Sequence, residues 1–338
     1  MNNLISKQIN NIVQKIWFND LLIVKMILII LLPLSLLYYF LFFIRKYSMK
    51  QKKFKSFIIC VGNCTIGGEG KTSSILSLMK IIQEDKKNLK VAVLLKGYKG
   101  KIKIPTKVDP KIHDATNVGD EALIYARRIN TYISYDRLRG IEYIIETEHP
   151  DIILLDDGMQ DFRIKKDLTI LVTNGRRGFG NGLLLPAGPL RQLPSEAISQ
   201  SDFVIIIGND EKKIAKKYEH LIPKELLINA SIISESNNSN KRFIAFSGIG
   251  NNKQFIETLI QHNFDLEKVE FFPDHYFYSD KDIKKIKDYA SDNRLSIITT
   301  EKDWLRLNSE QKININYLEI SINFKNRNNL EKAIFYNV

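Results

Sequence analysis

A glycine-rich turn between a predicted strand and a predicted helix constrains the fold of this chain more than any other feature. The strand is the apolar run at 57–62, and the helical pattern begins at Lys71. Small residues at such a turn let backbone N–H groups surround phosphate oxygens, and the positive end of the helix dipole adds to the attraction. The turn and helix start consist of Gly67, Gly68, Glu69, Gly70, Lys71 and Thr72. This segment therefore predicts a phosphate-binding loop.

The loop is a variant, because the commonest spacing has glycine where this chain has Thr65. In such loops the lysine reaches the terminal phosphates and the next hydroxyl binds Mg²⁺, roles that fall to Lys71 and Thr72. The alternative is a glycine turn without a ligand. The strand before the turn and the helix after it favour the phosphate-binding interpretation.

Strands alternate with helices along the rest of the chain. Predicted strands with continuous apolar stretches lie within 91–97, 151–158, 168–173 and 203–208, and helical patterns lie between the first two of them. Runs that are continuous rather than alternating indicate a parallel sheet covered on both faces. The expected fold class is therefore α/β, with a P-loop NTPase-like parallel-sheet domain.

A polar stretch at 234–241 separates this pattern from a second, shorter one. After it, strand and helix patterns resume, and Ser279 and Asp282 have the spacing of a helix cap. The expected domains are an N-terminal membrane anchor at 1–48, a P-loop domain at 49–233 and a smaller C-terminal α/β domain at 234–338.

The N-terminal region carries 19 residues without a charge, at 26–44. A helix of that length is roughly 28 Å long, close to the hydrocarbon thickness of a bilayer. Basic residues follow directly, at Arg45, Lys46, Lys50, Lys52, Lys53 and Lys55. The bias predicts a membrane helix with the rest of the chain in the cytoplasm. A helix that lies in the interface or packs on its own domain is the alternative.

Net charge and cysteine count restrict the kind of binding partner and the redox compartment only broadly. The chain has 50 basic and 38 acidic side chains, a formal charge of +12. Such an excess suits nucleic acid, an anionic membrane or a phosphorylated substrate, and charge alone does not choose among them. Cys60 and Cys64 are too few for a disulfide framework, which favours a reducing compartment.

Carboxylates stand at the end of the predicted strand at 151–158. Asp156 and Asp157 precede Gly158 there. An acidic residue at the tip of a strand beside a phosphate loop can hold Mg²⁺ or its bound water. The same tripeptide also occurs as a simple turn.

Three further segments have no decisive role on their residues alone. Asp120 and Glu121 follow Gly119 at an ordinary helix start, and His275 follows Asp274 in a loop. The glycines and prolines of 176–191 exclude regular structure, so this segment is a shaped loop whose arginines could pair with phosphate.

Read together and in order, the motifs resemble those of the tetraacyldisaccharide 4'-kinase family. They are GNCTIGGEGKT, GYKG, VGDEA, LLDDGMQD, RRGFGNGLLLPAGPLR, FSGIGN, FPDHY and TTEKD. The resemblance runs from about residue 35 to about residue 305. It implies transfer of the γ-phosphate of ATP to the 4'-hydroxyl of tetraacyldisaccharide 1-phosphate, which forms lipid IVA in lipid A biosynthesis. It also implies ATP and Mg²⁺ as cofactors, an acylated disaccharide lipid as substrate, and the cytoplasmic face of the inner membrane as location.

The resemblance also implies residue roles. The catalytic residues would be Asp120, His275 and Lys71. The nucleotide-binding residues would be Thr65, Gly67, Gly68, Glu69, Gly70, Lys71 and Thr72. The metal-binding residues would be Thr72, Glu121, Asp156 and Asp157. Contacts to the lipid substrate would come from Gln160, Arg177, Asn181 and Arg191.

This chain departs from the family pattern in a few positions. It has Asp161 where the family has His, and Met159 just before the shared glutamine. It has Lys96 where the family has arginine, which removes a bidentate phosphate contact, and Gln192 where the family has glutamate. The phosphate loop and Asp120 are intact, so activity is expected to persist.

Two other functions fit parts of the sequence. A membrane-associated P-loop ATPase, acting as a switch or partitioning protein, would share the glycine loop but would have no use for the 176–191 loop. Nucleic-acid binding rests on charge alone, without a recognition motif. The kinase interpretation is favoured, with no nucleic acid and no obligate protein partner expected.

Overall fold

The structure is a computed structural model, and it describes residues 17, 22–85, 88–234 and 241–336. The predicted linker at 234–241 falls almost entirely outside these residues. The helices are α1 Leu22–Ser48, α2 Lys71–Asp85, α3 Ala115–Val118, α4 Asp120–Ala126, α5 Arg137–Glu148, α6 Pro194–Ser199, α7 Ile214–Lys217, α8 Asn252–Gln261, α9 Asp280–Asp292, α10 Glu301–Leu305, α11 Ser309–Lys312 and α12 Asn328–Phe335, with a 3₁₀ turn at Lys224–Leu226.

The strands alternate with these helices, as the α/β prediction requires. They are β1 Phe57–Gly62, β2 Val91–Leu95, β3 Thr106–Lys107, β4 Asn130–Ile133, β5 Ile152–Asp156, β6 Leu168–Asn174, β7 Phe203–Ile207, β8 Leu227–Ser234, β9 Arg242–Ser247, β10 Asp265–Phe271, β11 Ser296–Thr300, β12 Ile315–Leu318 and β13 Ile320–Phe324. The predicted fold class is confirmed.

The chain forms two compact units. The first comprises Met1–Lys90, His149–Ser231 and Phe324–Val338, and the second comprises Val91–Glu148 and Ile232–Asn323. The predicted domain boundaries stay a prediction, but the compact units divide the chain differently, because Val91–Glu148 groups with the C-terminal region. Helix α4, in the segment Val91–Glu148, packs against α10 of the C-terminal region. Arg127 and Arg128, which directly follow α4, form ion pairs with Glu301 of α10.

The first unit contains parallel strands in the order β8-β7-β6-β1-β5. Strands β1, β5, β6 and β7 are almost fully buried, which explains their continuous apolar sequences. The register pairs Val61 of β1 with Asp156 of β5. Because the two strands are parallel neighbours, the loop after β1 and the carboxylates after β5 emerge at the same edge of the sheet.

The second unit contains a parallel pair, β2 and β4, with the short β3 antiparallel to β4, and a separate parallel sheet in the order β10-β9-β11-β12. Side chains of β9 alternate between two cores. Ile244 and Phe246 pack with Ile283 and Ile286 of α9, whereas Phe243 packs on the other side with residues of α8. The capping box predicted at Ser279 is present at the start of α9.

Helix α1 extends beyond the predicted 26–44 segment at both ends. Its part from Leu28 to Ser48 is long and apolar enough, by length and composition, to cross a membrane. Many of its large apolar side chains are exposed, including Ile30 and Leu36. One face is not exposed, because Ser35 and Phe42 are buried against the first unit.

Candidate active site

The glycine turn after β1 has the backbone that a phosphate loop needs. Gly67 and Gly70 have φ values of +131° and +90°, which L side chains rarely adopt. A Cβ on Gly70 would also lie 2.5 Å from Cδ1 of Ile207, whereas a Cβ on Gly68 would meet no atom within 4 Å. Helix α2 begins at Lys71, immediately after the turn. Free N–H groups at a helix start, beside open space, form an anion site.

Glu69 lies in the phosphate loop, but its side chain does not face the open side of the loop. Its carboxylate is 2% exposed and turns into the protein, where it accepts hydrogen bonds from the Thr65 hydroxyl (3.1 Å) and the Asn174 N–H (3.0 Å). The Thr65 hydroxyl in turn accepts a hydrogen bond from the side chain of Asn63 (3.2 Å). The side chains of Thr65 and Glu69 therefore hold the loop in place from within the protein.

Lys71 faces the carboxylate that follows β5. Its Nζ lies 3.6 Å from Oδ1 of Asp157. Asp157 has a φ of +58°, a turn conformation that aspartate tolerates. Asp156, one residue earlier, is buried at the end of β5. The structure thus brings the predicted lysine and the predicted strand-end aspartates together at one edge of the sheet.

Arg191 connects these parts. Its guanidinium binds Asp157 through two hydrogen bonds of 2.9 and 2.7 Å, and it also donates to the backbone oxygen and the side-chain oxygen of Asn63. Its N–H donates to the carbonyl of Cys64 (2.7 Å). Burial lowers the pKa of Arg191, but the charge of Asp157 outweighs it, so the pKa lies above its ordinary value. Arg191 therefore stays charged and ties the phosphate loop to the strand-end aspartate.

Within the 176–191 loop the structure describes neither helix nor strand, as predicted. Asn181 shapes this loop, since its amide donates to the Ala187 carbonyl (3.0 Å) and its oxygen accepts from the Leu183 N–H (3.1 Å). Arg177 reaches the phosphate loop, because a Cβ on Gly67 would lie 3.3 Å from its guanidinium nitrogens. Of these two residues, Arg177 is the one beside the phosphate loop.

Gln160 and Gln192 are joined within the first unit. Gln160 donates to the Asn63 carbonyl (3.0 Å) and lies 3.4 Å from Oε1 of Gln192. Gln192, which replaces the glutamate of the family pattern, is fully buried and donates to Gln200 (2.9 Å). A neutral amide chain therefore occupies this position.

The other two departures from the family pattern have local partners. Asp161 binds the guanidinium of Arg163 through two hydrogen bonds of 2.9 and 2.8 Å. The Nζ of Lys96 lies 4.3 Å from the ring centroid of Tyr135.

Helix α1 is attached to the 176–191 loop and its continuation. Ser35 donates to the Leu184 carbonyl (2.9 Å), and the Tyr38 hydroxyl donates to the carbonyl of Arg191 (2.9 Å). Phe42 packs edge-on against Phe162, with ring centroids 5.4 Å apart. The middle of the apolar helix is therefore fixed to the residue that binds Asp157.

A second cluster of predicted site residues lies in the second unit. Asp120 begins α4 after Gly119, whose φ is +88° and where a Cβ would lie 2.6 Å from the Tyr98 carbonyl. Nδ1 of His275 lies 3.4 Å from Oδ2 of Asp120. The structure thus brings together two residues that are 155 positions apart in sequence, 275 minus 120.

The carboxylate of Asp120 also contacts the guanidinium of Arg306. Burial raises the pKa of Asp120, but the hydrogen bond from His275 and the charges of Arg306 and Lys302 outweigh it and hold the pKa well below its ordinary range. Asp120 is therefore ionised at neutral pH although it is only 6% exposed.

Glu121, the next residue, pairs with Lys302 at 2.7 Å. Neither Lys302 nor Arg306 was among the predicted site residues. Lys302 belongs to the TTEKD motif, which formed part of the resemblance but implied no role, and Arg306 lies three residues beyond it. The sequence around Lys302 and Arg306 does not show which carboxylates they contact.

Among the residues that the structure describes, no group of three or more His, Cys, Asp or Glu side chains has the arrangement of a metal site. Mg²⁺ in nucleotide sites takes one or two protein oxygens together with phosphate oxygens and water. Asp157, which faces Lys71 beside the phosphate loop, and the hydroxyl of Thr72 are oxygen ligands of that kind. These residues fit Mg²⁺ together with a bound nucleotide.

A parallel α/β sheet with a glycine loop running into a helix, and with Lys71 beside a strand-end aspartate, defines a nucleotide-binding protein of the P-loop class. The family described as Tetraacyldisaccharide-1-P 4'-kinase matches residues 27–337. The chain belongs to this family, as the motifs predicted, and it is a kinase.

Similar proteins agree with this assignment. A tetraacyldisaccharide 4'-kinase of Rickettsia felis is 36% identical over 307 residues, which are 90% of this chain and 92% of the relative. One of Rickettsia bellii is 35% identical, with 90% of this chain and 94% of the relative covered. The crystal structure of LpxK from Aquifex aeolicus in complex with ATP superimposes with a TM-score of 0.75 at 26% identity, over 92% of this chain and 99% of that chain.

Proposed function

We propose that this kinase transfers the γ-phosphoryl group of ATP to the 4'-hydroxyl of tetraacyldisaccharide 1-phosphate and so forms lipid IVA in lipid A biosynthesis. Family membership supports the substrate class. The observation that carries the chemistry is the ionised carboxylate of Asp120 beside His275, at 3.4 Å. An ATPase switch of the P-loop class has no use for an acceptor-orienting pair of this kind.

On the nucleotide side, the backbone N–H groups of Gly67 to Gly70 and the Lys71 ammonium bind the phosphates of ATP. Lys71 is already oriented by Asp157. Thr72, Asp156 and Asp157 would hold the metal ion. Mg²⁺, when bound, neutralises the charge that develops on the transferred group. Arg191 keeps Asp157 in place through its two hydrogen bonds.

On the acceptor side, Asp120 accepts or orients the proton of the sugar hydroxyl, and His275 orients Asp120. A carboxylate with a lowered pKa is a weak base for an alcohol. Phosphoryl transfer passes through a loose transition state, however, so orientation of the nucleophile and charge stabilisation supply most of the rate. The Asp120 carboxylate, which is ionised and held in a fixed position, suits that requirement.

The remaining predicted residues have supporting roles in this proposal. Arg177, near the phosphate loop, contacts a phosphate of the nucleotide or of the lipid. Gln160 and Asn181 fix the backbone of the loops in which they lie, because their amides bind backbone atoms there. Glu121, which pairs with Lys302, keeps the metal-binding role that the family resemblance implies as a prediction.

We further propose that the protein works at the cytoplasmic face of the inner membrane. The exposed apolar face of α1 would enter the lipid phase, and the basic residues at 45–55 would meet anionic headgroups. An acylated, phosphorylated substrate is found at such a surface. The contacts of one face of α1 with the rest of the first unit would keep the helix attached to that unit at the membrane.

The test uses the full-length protein in detergent micelles with Mg²⁺, ATP radiolabelled in its γ-phosphate and the acyl disaccharide 1-phosphate. We expect label at the 4'-position of the lipid, and none when Lys71→Ala replaces the wild type. ATP hydrolysis that lipid leaves unchanged, with no labelled lipid, would contradict the proposal and favour the ATPase switch.

A further inference from the structure

The last three residues of the TTEKD motif begin helix α10, and Arg306 directly follows this helix. Several charges of this segment are complementary to those of α4 and the residues after it. Arg306 contacts Asp120, and Lys302 contacts Glu121 at 2.7 Å. Glu301, on the same short helix, binds Arg128 (2.7 Å) beyond the end of α4. Glu301, Lys302 and Arg306 therefore each meet an opposite charge in or just after α4. The contacts fix the position of α4 along α10 as well as its distance from it.

Arg306 differs from the other cations in this set because it is buried and held from behind. Its side chain is 2% exposed, and Nη1 donates to Oδ1 of Asp303 (2.9 Å) and to the Gly248 carbonyl (2.8 Å). Asp303 is itself fully buried and accepts a hydrogen bond from the Tyr278 hydroxyl (2.8 Å). These contacts hold the guanidinium in place independently of Asp120 and His275.

The other terminal nitrogen of this guanidinium, Nη2, lies beside Asp120 and His275. Nη2 of Arg306 contacts Oδ2 of Asp120 and lies 3.4 Å from Nδ1 of His275. The other carboxylate oxygen, Oδ1, accepts the N–H of Glu121 at 2.9 Å. Both carboxylate oxygens of Asp120 therefore have a partner. The partner of Oδ2, Arg306, is in turn held by the buried Asp303.

We propose that Arg306 is a positioning residue for phosphoryl transfer, which holds the Asp120 carboxylate in one orientation beside His275. The inference rests on the proposed function, since it assigns Asp120 to the acceptor hydroxyl. Arg306 acts through Asp120 and needs no contact with substrate. An arginine suits the task because its planar fork presents separate nitrogens to Asp303 and Asp120, whereas a lysine ammonium presents its donors from a single nitrogen on a flexible stem.

The first test compares Arg306→Met and Arg306→Lys with the wild type in the lipid kinase assay. A charge-assisted contact of this kind is worth about 10- to 100-fold in rate when it is removed. We expect Arg306→Met to lower kcat by about that factor, with the KM for ATP changed less than about twofold, because the phosphate loop contains none of these residues. Arg306→Lys should retain an intermediate kcat. A wild-type kcat for Arg306→Met would overturn the inference.

A double-mutant cycle separates positioning from general stability. Arg306→Met is combined with Asp120→Asn, and kcat is measured for both single variants and the pair. If Arg306 acts through Asp120, the arginine change should cost little further kcat in the Asp120→Asn background. A full, additive loss there would assign Arg306 a merely structural role.

The matched control is Arg128→Met, which breaks the contact of Arg128 with Glu301 in the same unit. We expect its kcat to stay within about threefold of the wild type, as for a partly exposed ion pair. An equal loss in both variants would show that loosening of α4 against α10 explains the effect. Should Arg306→Met fail to fold, Arg306→Lys decides, and a wild-type kcat would then overturn the inference. A wild type that leaves the lipid unlabelled would instead refute the proposed function itself.

Discussion

The buried carboxylate of Glu69 gives the sharpest quantitative expectation for this chain. It accepts hydrogen bonds from the Thr65 hydroxyl and from the N–H of Asn174, and it thereby fixes the phosphate loop to the end of β6. Replacement of Glu69 by alanine removes the acceptor of both donors. Because Thr65 is 3% and Asn174 is 8% exposed, water has little access to replace the lost acceptor.

Each buried donor left without an acceptor costs about 1–3 kcal/mol, so two of them cost about 2–6 kcal/mol. Removal of a desolvated carboxylate offsets part of this, because burial of the charge was itself unfavourable. A net loss of about 3 kcal/mol corresponds to a fall in melting temperature of roughly 6–12 °C for a unit of 150–250 residues. Glu69→Gln is the matched control, because it keeps one oxygen for one donor and should lose less than half as much.

Two assays test this expectation. Thermal unfolding in detergent, followed by circular dichroism, gives the change in melting temperature for both variants. Steady-state kinetics should show a higher KM for ATP in Glu69→Ala, because the loop that presents the N–H groups is no longer fixed. A melting temperature within about 2 °C of the wild type, together with an unchanged KM, would refute the assigned role of Glu69.

Further predictions concern catalysis, pH and thiol chemistry. Lys71→Ala should remove nearly all lipid phosphorylation, and an active variant in the same assay would exclude Lys71 as the phosphate-binding lysine. Asp120→Ala should slow transfer severely while ATP binding, measured by calorimetry, persists; normal turnover would overturn the assignment of the base. Because the pKa of Asp120 is lowered on folding, its contribution to stability is complete above about pH 4 and is lost as the pH falls from there toward the folded pKa. The difference in melting temperature between the wild type and Asp120→Asn should therefore shrink below about pH 4, and a constant difference would contradict the pKa shift. Burial, with the charge of Glu69, raises the pKa of the Cys64 thiol to about 12, and Cys60 is also buried. A thiol reagent at pH 8 should therefore react with neither cysteine until the protein is denatured.

Local sequence signals account for much of the first unit. The glycine loop, the buried strands and the aspartates at the end of β5 were all recognisable in the sequence, because each depends on residues within a few positions of one another. Parallel pairing of β1 with β5 then brings the loop and the aspartates to one edge by rule. The start of α9 was likewise predictable, because a capping box is a local hydrogen-bond pattern.

Single residues of the loop were harder to interpret. The sequence placed Glu69 in a phosphate loop, but the direction of its side chain depends on the Asn174 N–H, which lies on another strand. Arg191 was recognisable as an arginine in a shaped loop. Its two hydrogen bonds to Asp157 depend on how that loop folds back onto the strand ends.

The sequence by itself determined the class of fold, the phosphate loop and, through its ordered motifs, the family. Only the tertiary structure decided that Asp120, His275 and Arg306 share one cluster and that the middle of α1 rests on the loop containing Arg191. The reason is physical. Backbone propensities and apolar periodicity act over a few residues, whereas the partner of a buried charge is whichever opposite charge the packed chain brings within reach, however distant in sequence.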